Sequence, residues 1–203
     1  MTGGAGLSKR YQGHLVSLIG LLAGALTLLT VLSPALAQVD PGGRFEIRRG
    51  KATAQTGDML SFGPNNLVKL YGIDAPEPTQ LCLTRRGIEY PCGEFATNRL
   101  SGMLGDNQVF CVIEHTTMFG VQIGRCQTRN IDISAAMAAT GWAFAERRIS
   151  SFYNEMQANA RSRRAGFWAG RVEPPWLYRS RLQDDPNADP APPTSVTLPD
   201  RTY

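Results

Sequence analysis

Three carboxylates and one lysine stand out by type and spacing. Asp74 and Glu77 flank Ala75-Pro76 at the end of the stretch Val68–Glu77, VKLYGIDAPE. Leu67, Val68, Leu70 and Ile73 are apolar with Lys69 between them. The stretch therefore starts as a strand, breaks at Gly72 and turns at the proline. A site built on such a turn would do carboxylate chemistry: holding a hard cation on oxygen, or activating water. A capped polar turn is the alternative, and the residues alone leave both open. Asp58, just after Gly57, is equally readable as a simple turn residue.

The elements that must position these groups are short. Phe45 to Ala54 reads as a first strand, polar and edge-like because of Arg48, Arg49 and Lys51. Gly57-Asp58 turns into a strand at Met59–Phe62, and Gly63-Pro64-Asn65-Asn66 turns again into Leu67–Tyr71. Pro78 to Pro91 is a loop carrying Arg85 and Arg86. Glu94–Leu104 reads as a helix with Phe95, Leu100, Met103 and Leu104 near one face. Gln108–Ile113 and Val121–Gln127 form a hairpin through the turn at Thr116–Gly120. Helices follow at Ile131–Thr140 and Phe152–Arg164, and Phe167-Trp168 folds back on the core. Five strands with a helix between the third and fourth predict an α+β, mainly β, fold: a five-stranded oligonucleotide/oligosaccharide-binding (OB) barrel with three helices.

The chain has 203 residues, enough for one domain and its flanks. Residues 1–37 read as an export signal. Lys9 and Arg10 precede a nearly continuous apolar run, Leu15–Leu32, and Ala35-Leu36-Ala37 after Pro34 is a cleavage pattern. An uncleaved segment of this length would be a membrane anchor instead. Residues 38–49 are a linker and first-strand start, 50–180 the domain, and Asp184 to Tyr203, rich in Pro and Asp, a disordered tail. Residues 38–183 hold 18 Lys+Arg against 13 Asp+Glu. That balance tolerates a polyanion without requiring one, and lacks the dense basic stripe of a dedicated DNA-binding domain. Cys82, Cys92, Cys111 and Cys126 are an even set in an exported chain, which favours disulfides. No C-x-x-C spacing supports zinc. Three pairings are possible; Cys82–Cys92 closes a short loop and Cys111–Cys126 joins neighbouring strands, so these are expected.

Several stretches together carry a resemblance: TGD at Thr56–Asp58, VKLYGIDAPE, YPCGEFA at Tyr90–Ala96, Gly141-Trp142-Ala143, GFWAG at Gly166–Gly170 and PPW at Pro174–Trp176. In this order and spacing the chain resembles the staphylococcal-nuclease-like (thermonuclease) family of calcium-dependent phosphodiesterases, from about Gly50 to Arg179. The resemblance implies that Asp58, Asp74 and the carbonyl of Ala75 hold Ca2+ and that Glu77 positions or deprotonates the attacking water. It also implies two arginines clamping the phosphate through planar forks.

Departures concentrate at the implied site. The first clamp arginine is Lys69, which keeps the charge but loses the fork. The second is Val121, and the tyrosine before it is Phe119. A further family tyrosine is Glu146, the usual first acid of the turn is Thr56, and the threonine after Asp58 is Met59. Losing one preorganised donor to a transition-state oxyanion costs about 10²–10³ in rate. Arg125 lies too far along its strand to replace Val121, about 13 Å. Arg85 and Arg86 remain as substrate-binding candidates on their loop.

Two functional readings follow. One is a Ca2+-dependent nuclease on DNA or RNA, with Glu77 and Lys69 catalytic. The other, which Val121 favours, is an exported protein with weak or lost hydrolysis and a binding or accessory role toward a nucleic acid, another polyanion or an oligosaccharide. Thermonuclease-like exported proteins also occur among accessory proteins of exopolysaccharide (succinoglycan) production, so that machinery is a third expectation.

Overall fold

The computed structural model describes residues 46–146, 148–149 and 151–192, all within the compact unit Arg44–Tyr203. The export-signal reading of residues 1–37 and the last part of the expected tail, residues 193–203, lie outside the described residues. No described helix is long and apolar enough to cross a membrane.

The strands are β1 (Ile47–Gly50), β2 (Thr53–Thr56), β3 (Met59–Ser61), β4 (Leu67–Leu70), β5 (Ile73–Asp74), β6 (Cys82–Leu83), β7 (Glu89–Tyr90), β8 (Val109–Thr116), β9 (Gln122–Thr128), β10 (Ile131–Asp132) and β11 (Phe144–Ala145). The main sheet runs β1-β8-β9-β4-β3-β2, with β10 on β9. Its first and last strands are consecutive pieces of chain, joined through Lys51 and the buried Ala52. A sheet whose two ends are neighbours in sequence must curl, and this is the half-closed OB-like barrel. The single first strand expected at Phe45–Ala54 is thus two. Its first half pairs with β8 and its second with β3, so the chain bends between them to serve both edges.

Alternation fills the barrel. Leu60, Val68, Leu70, Val109, Cys111, Ile113 and Cys126 point inward and are buried, as period-two strands require. Helix α1 (Cys92–Leu104) closes one side with Ala96, Leu100 and Leu104 buried at four-residue spacing. Phe95, expected on that face, is 49% exposed. It stacks on Trp142 at 5.9 Å and meets the edge of Tyr90 at 5.7 Å. Helix α2 (Ile133–Ala139) begins at Asp132, whose carboxylate accepts from Ala135 N at 2.8 Å. Helix α3 (Asn154–Ser162) follows, then a 3-10 turn at Gly166–Ala169. A fourth helix beyond the three expected, α4 (Pro175–Asp184), starts with proline in its first turn.

Both disulfides form as expected: Cys82–Cys92 ties β6 to the first residue of α1, and Cys111–Cys126 joins directly opposed residues of β8 and β9. They close loops with separations of 10 and 15 residues, each worth about 3 kcal/mol in the loop-entropy picture. Replacing Cys82 and Cys92 by serine is expected to lower unfolding free energy by about that amount. Denaturant melts of oxidised wild type and variant check it, and a loss below about 1 kcal/mol would contradict it.

Part of the expected disordered tail is described. Pro190 O accepts from Leu81 N at 3.0 Å, and Arg181 donates to Asp189 O and Ala191 O.

Candidate active site

Two glycines bring the acidic groups together. A Cβ on Gly57 would lie 2.7 Å from the Cβ atoms of both Ala75 and Ala96. The turn carrying Asp58 packs this closely against the turn after β5 only because residue 57 has no side chain. A Cβ on Gly93 would lie 1.7 Å from Glu77 O. The start of α1 therefore rests directly on the backbone of Glu77. Gln80, fully buried, adds a second hold: its Oε1 accepts from Glu77 N at 3.2 Å and its Nε2 donates to Glu173 O at 2.7 Å.

Asp58 and Asp74 are 6% and 3% exposed. Asp58 Oδ1 accepts from the Thr56 hydroxyl at 2.7 Å. Its Oδ2 accepts from the ammonium of Lys69 and lies 3.4 Å from the amide of Ala75. Lys69 Nζ also reaches Asp74 Oδ1 at 3.4 Å, so it bridges the two aspartates. A second cation completes the corner. Arg179, from α4, donates from Nη2 to Asp74 Oδ2 at 2.8 Å, and from Nη1 to Asp74 Oδ1 at 3.2 Å and Glu77 Oε1 at 2.6 Å. This is the paired-fork geometry of a strong guanidinium–carboxylate contact.

Arg179 is aimed by its neighbours. Tyr178 is buried, with its hydroxyl 3.1 Å from the Thr79 hydroxyl. Arg181 pairs with the buried Glu173 through Nη2 at 2.7 Å and Nε at 3.3 Å. The residue before Arg179 and the one two after it are thus pinned, which fixes the helix that presents the guanidinium.

The charges shape each other. Burial disfavours the Lys69 ammonium, but Asp58 and then Asp74 outweigh it, so its pKa lies above the ordinary 10.5. The pairing therefore contributes stability fully below about pH 10.5, and loses it as pH rises beyond. The stability difference between wild type and Lys69→Met is expected to stay constant from neutral pH to about 10 and then shrink. Denaturant midpoints across that range test this; a difference already fading at pH 8 would contradict it. Glu146 also faces the corner: burial first, then Asp74, raises its carboxyl pKa. Arg179 is held protonated, since its hydrogen bonds to Asp74 and Glu77 overcome burial.

The carboxylates of the expected calcium ligand set are engaged by the chain's own cations in this arrangement. A hard cation of that size needs six to eight oxygens. Here Asp58 Oδ2 is engaged by Lys69 and both oxygens of Asp74 by Arg179. Among the described residues no three His, Cys, Asp or Glu side chains are gathered as a metal set.

Of the sequence-derived candidates, Asp58, Asp74, Ala75, Glu77 and Lys69 come together. Arg85 does not join them: its Nε donates to Ala169 O at 3.2 Å, beside the 3-10 turn. Arg86 is exposed on the same loop. Arg125 donates to Glu114 at 2.6 Å and lies over the Tyr71 ring, so it is committed elsewhere. The guanidinium that does reach the corner is that of Arg179, which the sequence reading did not single out. It was missed because it stands 105 residues from Asp74, on a helix with no local motif. One signal could have pointed to it: Lys69 meets two buried aspartates, Asp58 and Asp74, which leaves negative charge that another cation must balance.

The family model for the staphylococcal nuclease homologue matches residues 67–170. The chain belongs to this family. A curated relative of this nuclease homologue, "Succinoglycan biosynthesis protein ExoI" of Rhizobium meliloti (strain 1021), is 28% identical over 154 residues, covering 74% of this chain and 80% of the relative. The family match accounts for the OB-like barrel. The two disulfides point to an extracellular or periplasmic setting for this homologue.

Proposed function

We propose that this nuclease homologue is an exported binding or accessory protein whose phosphodiester hydrolysis is weak or lost. The observation that carries the reading is the internal closure of the acidic corner. Lys69 bridges Asp58 and Asp74, while Arg179 engages Asp74 and Glu77. The groups that would hold a cation and activate water are committed to the chain's own cations. Glu146 adds a further carboxyl close enough to feel Asp74, which makes the corner less favourable to a phosphate backbone. The relative's name supports an accessory role in exopolysaccharide biosynthesis as the setting.

One observation favours a second reading, an active calcium-dependent phosphodiesterase on DNA or RNA. Arg179 puts a forked guanidinium at the corner, in a chain whose resemblance implies a phosphate-gripping arginine at Val121. Cleavage of single-stranded DNA, with calcium and with chelator, separates the two. The first reading expects no chelator-sensitive cleavage by wild type. Rapid cleavage lost in both Glu77→Ala and Arg179→Ala would establish the second.

A further inference from the structure

Away from the acidic corner, an open groove of about 530 Å³ is lined by Thr84, Arg85, Gly87, Arg164, Trp168 and Arg171, with Ala169 and Gly170. Its volume falls in the range of ligand pockets, roughly 300–1,000 Å³. Three arginines line it, and among the described residues that line it none is a carboxylate. None of these residues belongs to the corner.

The walls are fixed rather than mobile decoration. Leu83 and Arg171 exchange both backbone hydrogen bonds, at 2.8 and 2.9 Å. The Cys82–Cys92 disulfide anchors the same segment. Arg85 is steered across the groove by its bond to Ala169 O. Arg164 is the most telling residue. It follows the end of α3 with φ +56°, a left-handed conformation that glycine adopts freely and arginine adopts at a cost. A residue kept in strained backbone while exposing its charge points to use of that side chain.

The aromatic at the groove decides between anionic polymers. Nucleic acid sites without sequence preference stack bases on open aromatic faces. Here the Trp168 ring has Arg161 over it at 5.4 Å, and Phe144 and Phe167 against it at 5.0 Å each. Arg161 covers one face and the two phenylalanines meet the ring at steep angles of 66° and 63°, so the groove offers three arginines beside a ring already packed by its neighbours.

We propose that this groove binds a carboxylate-bearing polysaccharide, gripped by Arg85, Arg164 and Arg171. The proposal deepens the binding role argued above and rests on that reading. Arg guanidiniums donate in pairs to carboxylates, and prealigned side chains lose little freedom on binding.

Calorimetric titration of the full chain with alginate oligomers tests it, beside an oligothymidylate of equal charge and neutral dextran. Alginate is expected to bind and to weaken as salt rises through the physiological range. Arg164→Gly relieves the backbone, so its melting temperature should hold or rise while alginate affinity falls about ten-fold. Arg85→Gln should weaken binding in the same direction. Oligothymidylate binding as tight as alginate, dextran binding equally, no alginate binding, or an Arg164→Gly variant with unchanged affinity would each overturn the proposal. The cleavage assay reads the acidic corner alone. Rapid nuclease activity alongside alginate binding lost in Arg164→Gly would sink the accessory reading and leave the groove standing.

Discussion

Replacing Lys69 by methionine and Arg179 by alanine together is expected to turn the acidic corner into a cation site. Asp58, Asp74 and Glu77 would lose their internal partners. Removing one partner of a buried pair leaves an uncompensated charge and costs about 3–5 kcal/mol. Because Lys69 and Arg179 are 29% and 43% exposed, water offsets part of this, and the double variant is expected to lose nearer 3 kcal/mol in chelator. Calcium should then restore stability, because a ligand that binds only the folded state stabilises it by mass action. At 100 times its Kd that is about 2.7 kcal/mol. Wild type should show no such gain. Thermal melts of both proteins, with millimolar calcium and with chelator, measure the effect. Equal calcium responses in wild type and variant would show that the two cations do not close the corner.

Gly93→Ala is expected to have the second large effect, and by a different route. A methyl at residue 93 would sit 1.7 Å from Glu77 O, 2.5 Å from Glu77 C and 3.0 Å from Pro78 Cα. All three are backbone atoms, so no side-chain rotation relieves the overlap. Either the start of α1 or the turn carrying Glu77 must move. Overpacking of this kind costs about 3 kcal/mol or more when backbone has to shift. The displacement would also strain the Gln80 contact to Glu77 N and the adjoining Cys82–Cys92 link. Denaturant unfolding of Gly93→Ala against Gly102→Ala checks it, since residue 102 has open space for a Cβ and lies on the same helix. A loss at residue 93 no larger than at residue 102 would contradict the packing described.

Much of the barrel was legible because strands advertise themselves locally. Val68 and Leu70 alternate with Lys69, and Val109, Cys111 and Ile113 alternate along β8, so inward faces could be read directly. The disulfide pairs followed from loop length and strand adjacency, both sequence properties. What failed to show was non-local. The break between β1 and β2 reflects two different partner strands, β8 and β3, which no window around residues 45–54 contains. Phe95 sits at helical spacing for burial but is drawn to Trp142, 47 positions further along the chain, and stays half exposed. At the site, Asp58, Lys69, Asp74 and Glu77 could be grouped because the resemblance carried by Thr56–Asp58 and Val68–Glu77 implies that they act together. Arg179 could not, since only the docking of α4 through Tyr178 and the Glu173–Arg181 pair brings it there.

The closure of the corner changes how its substitutions are understood. The resemblance implies an arginine at Val121, and Arg179 brings a guanidinium to the corner from the far end of the domain. That guanidinium faces the carboxylates rather than an open phosphate position. A charge that completes an internal network gives rigidity and a fixed geometry. On the proposed reading it also weakens the carboxylates as ligands, since a competing cation must first displace a bidentate partner.

The most direct measurement is a calorimetric titration of the wild-type protein with calcium near pH 7.5. The account predicts no saturable binding tighter than roughly 10⁻⁴ M, weaker than calcium sensors of known affinity. A one-to-one site in the micromolar range, abolished by Asp74→Asn, would contradict it.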